Sequence, residues 1–155
     1  NEVDIANIGK EAAKGIKRGT NVVGGQDIAL YQEIMAELYD KGEGSGPIEK
    51  TQDGFYNTGL AMYSTMFEAA RKAAEAEGLP ITPTSYKAGL ESLEGYDANG
   101  LMAPITVTAE DHGGGGKTRI EMWDGETWVP QTDWISEYTD VVWGVVKESS
   151  AKYEQ

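Results

Sequence analysis

The sequence predicts an α/β protein with a helix-rich middle, a C-terminal β-hairpin and a terminal helix. In residues 54–78, apolar side chains recur at spacings of three and four, which is typical of an amphipathic helix. An Asp-Gly turn separates two β-type segments, residues 119–123 and 127–129, and this pattern is a strong hairpin signal. Residues 105–108 read Ile-Thr-Val-Thr, and their β-branched side chains favour a strand.

The helix over residues 54–78 is the longest predicted element. Because its first two turns are apolar nearly all round, we expect that end to be deeply buried and covered on more than one side. Its opening residues Phe55, Tyr56 and Asn57 either line a cleft or pack in the core, and residue type alone favours the core. The predicted buried face consists of Leu60, Tyr63, Phe67, Ala70 and Ala74.

Shorter elements flank this central helix. Residues 136–153 are ambiguous, because their valines favour a strand whereas the spacing of those valines favours a helix, and we predict a helix. The other predicted elements are a helix over 5–14, a strand over 16–23, a helix over 26–39, a loop over 41–47 and a helix that begins at Thr82-Pro83.

Length and charge limit the classes of function. The 155 residues suffice for one domain with a core, and 26 acidic against 13 basic residues give a net charge of -13. Such a charge disfavours nucleic acid and anionic membrane surfaces as partners. The chain contains no Cys. It begins with Asn rather than Met, so we expect it to be processed, tagged and trimmed, or a piece of a longer protein.

Several residues suggest catalysis or nucleotide binding only weakly. Gly116-Lys117-Thr118 imitates the end of a phosphate-binding loop, but Asp111 stands where that pattern needs Gly, and a strand rather than a helix follows. The single histidine, His112, cannot build the usual zinc site. Asp111 and His112 leave a small hydrolase as an alternative, although no serine lies on a nucleophile turn. We therefore predict no enzyme, no catalytic residues, no metal and no cofactor.

Four tryptophans fall in the last third of the sequence, at positions 123, 128, 134 and 143. An aromatic platform of this kind could stack a sugar or another aromatic ligand. A cross-strand pair combined with core packing explains the same residues more simply, and it is the interpretation that we favour.

Three stretches, read in order, carry a family resemblance. Residues 8–16 form a helix pattern that ends in Gly and leads into a strand. Residues 56–73 run from Tyr-Asn-Thr-Gly-Leu to Glu-Ala-Ala-Arg-Lys-Ala, and residues 100–107 place Ala-Pro before a strand. They are followed by Asp111-His112 and by the hairpin sequence over 120–130. Together these stretches resemble the C-terminal part of the type I periplasmic solute-binding proteins of branched-chain amino acid ABC transporters.

The resemblance implies two lobes joined by a hinge, with a small solute in the interlobe cleft and an ABC permease in the membrane as partner. It also implies a periplasmic or other extracytoplasmic location. Two lobes need roughly 250–350 residues, so the chain would be a single fragment. Residues 1–25 and 105–135 would be second-lobe elements and residues 26–100 first-lobe elements. We expect an isolated fragment to self-associate, to swap elements or to repack.

The resemblance also implies which residues meet the solute, an amino acid or a similar small carboxylate. Glu2 would face the ammonium group of the solute. Phe55 or Tyr56 would line the cleft, and Asn57 could donate a hydrogen bond to a carboxylate. Residues that grip the solute carboxylate in the family would lie outside this sequence. A structural fragment with no site of its own is the remaining alternative, and the sequence leaves the identity of the solute open.

Overall fold

The computed structural model describes residues 2–25, 28–52 and 54–153. Its order of helices and strands confirms a mixed α/β chain with a helix-rich middle, a C-terminal hairpin and a terminal helix. The elements are α1 (Glu2–Ile8), β1 (Lys17–Thr20), α2 (Ala29–Ile34) continued by a π-helical segment (Met35–Tyr39), a 3-10 turn (Ile48–Gln52), α3 (Gly54–Glu77), α4 (Pro83–Glu91), β2 (Arg119–Trp123), β3 (Trp128–Pro130) and α5 (Thr139–Ala151).

The first helix is shorter than the predicted helix over residues 5–14. It ends at Ile8 because Gly9 adopts a φ of 94°, a left-handed conformation that stops a helix. The following turns bury Ala13, and the N–H of Gly15 donates to the carbonyl of Trp123 at 2.9 Å. The segment after α1 is therefore attached to the hairpin instead of extending the helix.

The three strands form one antiparallel sheet in the order β1-β2-β3. Lys17 pairs with Met122 across the first ladder, and Trp123 pairs with Trp128 across the second. The predicted hairpin is confirmed, since the Asp124 carboxylate accepts the backbone N–H groups of Glu126 and Thr127 at 2.8 and 2.9 Å. This carboxylate holds the turn between β2 and β3.

The strand predicted over residues 105–108 is wrong. Ile105 and Tyr96 exchange two backbone hydrogen bonds of 2.9 Å, but the pairing stops at this isolated bridge. Val107 donates instead to the carbonyl of Leu93. The segment folds back onto the loop after α4, where no neighbouring strand extends the ladder among the described residues. A β-branched run without such a neighbour stays irregular.

Helices α3 and α4 pack through small residues. Gly89 of α4 lies so close to α3 that a Cβ built on it would stand 2.2 Å from the carbonyl oxygen of Ala69. Helix α4 begins as predicted, because Thr82 and Ser85 form a reciprocal capping box with bonds of 3.1 and 2.9 Å.

The predicted buried face of α3 is wrong. The fully buried positions are Asn57, Ala61, Ala69 and Ala73, which recur at multiples of four. Tyr63 and Phe67 are 62% and 72% exposed, so the first turns are not the deeply buried end that we expected. Ala69 and Ala73 are buried because they admit the close approach of α4, whereas Ala61 packs in the cluster around Tyr31. Tyr63 and Phe67 lie on the other side of the helix.

Two hydrophobic clusters hold the chain together. The first lies between α2, α3 and the loop before residue 105, and the second joins α1 to the hairpin. The first consists of Ile28, Tyr31, Ala61, Ala98, Leu101 and Met102, and the second of Ile5, Ala13 and Trp123 with Trp128 against them. Helix α5 confirms the predicted terminal helix, and none of its residues is buried. Within the described residues, no helix is long and apolar enough to cross a membrane.

Candidate functional site

The opening turn of α3 brings Phe55, Tyr56 and Asn57 together in three different environments. Phe55 is 67% exposed, whereas Asn57 is 2% exposed and points into the protein. Tyr56 is half-buried and packs edge-on against Tyr31, with ring centroids 6.3 Å apart. Phe55 is therefore the most exposed of the three side chains.

Asn57 anchors the segment after β1 to α3. Its side-chain Nδ2 donates to the carbonyls of Val23 and Gly25, both at 3.0 Å. Because an amide nitrogen carries two hydrogens, this arrangement leaves none for the predicted donation to a ligand carboxylate. The Oδ1 atom of Asn57 is buried and has no hydrogen-bond partner among the described residues. The structure thus gives Asn57 a positioning role.

Tyr56 packs against Tyr31, whose hydroxyl is held by a hydrogen bond. The hydroxyl of Tyr31 lies 2.8 Å from Oγ1 of Thr51, which itself donates to the carbonyl of Ile48 at 2.6 Å, so the Tyr31 hydroxyl donates to Thr51. Burial raises the pKa of Tyr56, and the neighbouring Tyr39 and Tyr31 act in the same direction. The phenol therefore keeps its proton at neutral pH.

A groove runs along the first half of α3. Two hollows of about 120 and 240 Å³ share the residues Asn21, Val22 and Thr58, and together we call them the α3 groove. Phe55 and Arg18 lie at one end of this groove, and Lys117 lies at the other. The remaining wall is formed mainly by Thr20, Val23, Ala61, Met62, Thr65, Met102, Ala103 and Ile105.

The chemistry of the α3 groove is apolar with a cation at each end. The hydroxyls of Thr58 and Thr65 donate back to carbonyls of their own helix, so their lone pairs remain available to a ligand. Lys117 forms no ion pair within the part of the chain that the structure describes, and Arg18 pairs with Glu121. Two cations beside a groove in a chain of net charge -13 favour an anionic or zwitterionic ligand.

A third hollow of about 510 Å³ lies between the glycine loop and α5. It shares Gly113, Gly116 and Lys117 with the α3 groove, and Val142 and Trp143 of α5 form its other wall. Lys117 therefore stands between the two hollows, and α5 continues the surface that the groove begins.

Glu2, the residue predicted to face an ammonium group, lies at the start of α1. Its side chain is outside the described part of the structure. The helix packs through Ile5 on the cluster around Trp123, whereas Tyr56 packs on the other cluster. Glu2 and the turn of Phe55 are therefore carried by different parts of the fold.

Asp111 and His112 bind different partners. The Asp111 carboxylate accepts the backbone N–H of Gly113 at 2.7 Å, and Nε2 of His112 lies 2.7 Å from the Glu91 carboxylate. Hydrogen bonds from Lys87 and then from His112 lower the pKa of Glu91. Lys117 precedes strand β2 and not a helix, as the sequence predicted. Among the described residues, no cluster of three metal-ligating side chains occurs.

Sequence reasoning missed a charged cluster beneath the Arg18 end of the groove. The side chain of Glu121 is 1% exposed. One of its carboxylate oxygens accepts two hydrogen bonds from Arg18, at 2.8 and 2.9 Å. The other oxygen accepts two hydrogen bonds from Arg119, at 2.5 and 2.9 Å. The two guanidinium groups also lie over the rings of Trp128 and Trp134, at 4.2 and 4.6 Å. Residues two apart on a strand share a face, so the sequence Arg119-Ile120-Glu121 could have predicted that Arg119 and Glu121 lie side by side.

The tryptophans of the hairpin pack as we favoured. Trp123 and Trp128 form a cross-strand pair with centroids 5.5 Å apart and an interplanar angle of 63°. Arg18 and Arg119 each cover one face of Trp128 and Trp134, so a ligand could not stack on those faces. Nε1 of Trp123 donates to the carbonyl of Lys10 at 3.0 Å, which ties the hairpin to the segment after α1.

Comparison with known proteins relates this fold to ABC transporters. No family model matches the sequence, and no curated protein matches it. A solved structure described as an ABC transporter permease from the Pseudomonas fluorescens group matches 92% of this chain, with a TM-score of 0.79 and 28% identity. A branched chain amino acid ABC transporter from Thermus thermophilus, solved with bound valine, matches 86% with a TM-score of 0.68 and 22% identity.

The match covers only part of these solved proteins. This chain spans 36% of the length of each one. The two comparisons confirm the predicted fold, which is a partial fold of the type I periplasmic binding proteins resembling the branched-chain amino acid binding protein.

Proposed function

We propose that this chain belongs to the extracytoplasmic, periplasmic solute-binding component of an ABC importer, which delivers an amino acid or a similar small carboxylate to a membrane permease. The fold carries the proposal, because both matching structures are ABC transporter proteins and one of them contains valine. The cations at the ends of the α3 groove suit the carboxylate of such a solute.

The proposed solute-binding surface begins at Phe55. Its exposed ring would contact the solute side chain, while Tyr56 supports it from behind and Asn57 holds the adjacent segment at Val23. Glu2 would pair with the ammonium group. Because the solved relatives extend well beyond the match, we propose that polypeptide outside these 155 residues completes the cleft.

The proposed role is non-enzymatic. Asp111 is bound to its own loop and His112 to Glu91, so the geometry does not support the small hydrolase that these two residues suggested. The chain as a structural fragment without a site of its own is the competing outcome of the experiment.

Mass spectrometry under native conditions would identify any solute retained by the purified protein, and calorimetry with valine would measure its affinity. Isobutylamine and 3-methylbutanoate, which lack the carboxylate and the ammonium group of valine, separate the two charge contacts. We expect both analogues to bind at least about tenfold more weakly than valine, or 1.4 kcal/mol. Absence of a retained solute together with no valine binding would favour the structural fragment.

The substitution Phe55→Ala tests the place of the site. We expect it to weaken valine binding by about 1–3 kcal/mol, because the solute loses aromatic contact area. Leu79→Ala is a matched control, since Leu79 is 80% exposed just beyond the opposite end of α3 and should leave the affinity unchanged. Equal affinities for the two variants would move the site away from Phe55.

A further inference from the structure

A tight turn over residues 98–101 carries the sequence Asn-Gly at its centre. The N–H of Leu101 donates to the carbonyl of Ala98 at 3.4 Å, and Asn99 and Gly100 have φ values of 56° and 81°. Positive φ at both central residues is the mark of a type I′ turn, which prefers Asn-Gly. The closing bond is longer than the usual N–H···O distance of about 2.9 Å, so it holds the turn only weakly.

The side chain of Asn99 is open to water. Asn99 and Gly100 are both exposed, and a Cβ built on Gly100 would meet nothing within 4 Å. Within the part of the chain that the structure describes, the Asn99 amide forms no hydrogen bond, and the N–H of Gly100 donates to no carbonyl. Because glycine also leaves the backbone free to rotate, the Gly100 nitrogen and the amide carbon of Asn99 can approach each other.

The other asparagines lack this combination. The sequence contains five, at positions 1, 7, 21, 57 and 99, and only Asn99 precedes a glycine. Asn7 and Asn21 precede isoleucine and valine, whose stiff, branched side chains stand beside the backbone nitrogen that would react. Asn57 is 2% exposed, and its amide nitrogen already donates to two carbonyls. Asn99 therefore stands apart in both sequence and exposure.

We infer that Asn99 is a site of spontaneous deamidation, with water as the co-reactant. The Gly100 nitrogen forms a bond to Cγ of Asn99, its proton passes to the departing amide nitrogen, and the Cγ–Nδ2 bond breaks to release ammonia. Water then opens the cyclic imide at one of its two carbonyls. In sum, an amide and water give a carboxylic acid and ammonia, with no oxidation or reduction. Ionisation of the new acid makes the net charge of -13 one unit more negative.

The two ways of opening the imide differ in their effect on the fold. Opening at Cγ leaves an aspartate, which tolerates a positive φ as asparagine does. Opening at the main-chain carbonyl routes the backbone through Cβ and Cγ, which adds one atom to the turn. Ala98 and Leu101 at the ends of the turn are 3% and 0% exposed and belong to the first hydrophobic cluster. A close-packed cluster does not absorb the extra length, so this second product is the less stable one.

Peptide mapping measures the reaction in the intact 155-residue chain. The folded chain is incubated at mildly alkaline pH, which favours loss of the backbone proton, and samples are digested with trypsin at successive times. Trypsin places Asn7, Asn21 and Asn99 in three different peptides, so mass spectrometry follows each amide separately. The same incubation in urea gives the rate for the unfolded chain.

We expect Asn99 to lose its amide at least about tenfold faster than Asn7 and Asn21. In the folded chain its rate should lie within about tenfold of its rate in urea, because the turn opens easily. Equal rates at the three asparagines would overturn the inference. A folded rate further below the rate in urea would also overturn it, since the turn would then protect Asn99.

The variant Asn99→Asp is the matched control for the effect on the fold, because it carries the new charge without the extra backbone atom. We expect the chromatographically separated product with the lengthened backbone to unfold at a lower urea concentration than Asn99→Asp. Equal midpoints would contradict the predicted displacement of Leu101. None of these measurements involves a solute, so the inference does not depend on the proposed function.

Discussion

Replacing Gly89 with alanine tests how closely α4 is seated on α3. The new Cβ would stand 2.2 Å from the carbonyl oxygen of Ala69, 2.9 Å from the nitrogen of Ala73 and 3.1 Å from its Cβ. Carbon and carbonyl oxygen ordinarily approach to about 3.3 Å, so the two helices must separate by roughly 1 Å. Because the nearest obstacles are backbone atoms, no rotation of a side chain relieves the contact.

The magnitude follows from two opposing effects. Overpacking costs about 1–3 kcal/mol, and the backbone contact places Gly89→Ala at the upper end of that range. Higher helix propensity returns up to about 1 kcal/mol. We therefore expect the free energy of unfolding to fall by about 2 kcal/mol, which lowers Tm by roughly 4–8 °C for a chain of this size.

Urea unfolding followed by helical circular dichroism measures this change. Gly59→Ala is the matched control on α3, because a Cβ at Gly59 meets nothing within 4 Å and the glycine does not adopt a positive φ. Only the propensity effect applies there, and we expect a gain of about 0.5–1 kcal/mol. A Gly89→Ala variant as stable as Gly59→Ala would show that α4 does not pack on α3 at the described distance.

Two further substitutions test the hairpin. Glu121→Gln removes the carboxylate that Arg18 and Arg119 share and should lower the free energy of unfolding by about 3–5 kcal/mol in urea; a loss below about 1 kcal/mol would contradict the cluster. Backbone hydrogen bonds from Thr127 and Glu126 hold the pKa of Asp124 below its ordinary value of 3.8. The pKa of Asp124 is therefore lower in the folded chain than in the unfolded chain. Its contribution to the free energy of unfolding is complete above about pH 4 and is lost as pH falls through the folded pKa. Asp124→Asn keeps an acceptor and cannot titrate, so its urea midpoint should fall less between pH 5 and pH 2 than that of the parent chain, and identical curves would count against this role.

Local chemistry made several elements predictable. The hairpin needed only its Asp-Gly turn, because the Asp124 side chain itself closes the turn. Helix α4 needed only Thr82, Pro83 and Ser85, whose capping bonds lie within a few residues of one another. The signals for these elements are adjacent in sequence, and no distant contact is required to interpret them.

Distant contacts decided the features that sequence reasoning got wrong. Apolar spacing predicted burial of Phe67, but Gly89 selects the alanine stripe because it brings α4 within reach of backbone atoms. The strand propensity of Ile105 and Val107 had no partner strand to act on. In both cases a residue far along the chain determines the outcome, and periodicity within one segment does not contain that information.

The candidate site was likewise predicted in part, and the residues that were misjudged or missed depend on distant contacts. The sequence pointed to the opening turn of α3, and the structure places an exposed ring there at Phe55. The role of Asn57 depends on carbonyls at Val23 and Gly25, 34 and 32 residues away, whereas the family resemblance suggested a ligand contact instead. Glu121 was missed because one of its two partners, Arg18, lies 103 residues away.

The placement of the indole rings determines what each spectroscopic signal can report. Trp123, Trp128, Trp134 and Trp143 all follow residue 120, and neither α3 nor α4 contains a tryptophan. Intrinsic fluorescence therefore follows the hairpin and the terminal helix, whereas ellipticity at 222 nm sums over all the helices, of which α3 is the longest at 24 residues. The two indoles of the cross-strand pair, 5.5 Å apart, also couple their electronic transitions. A transition in which the two signals separate would reveal that the tryptophan-rich end and the helical middle unfold as independent cooperative units.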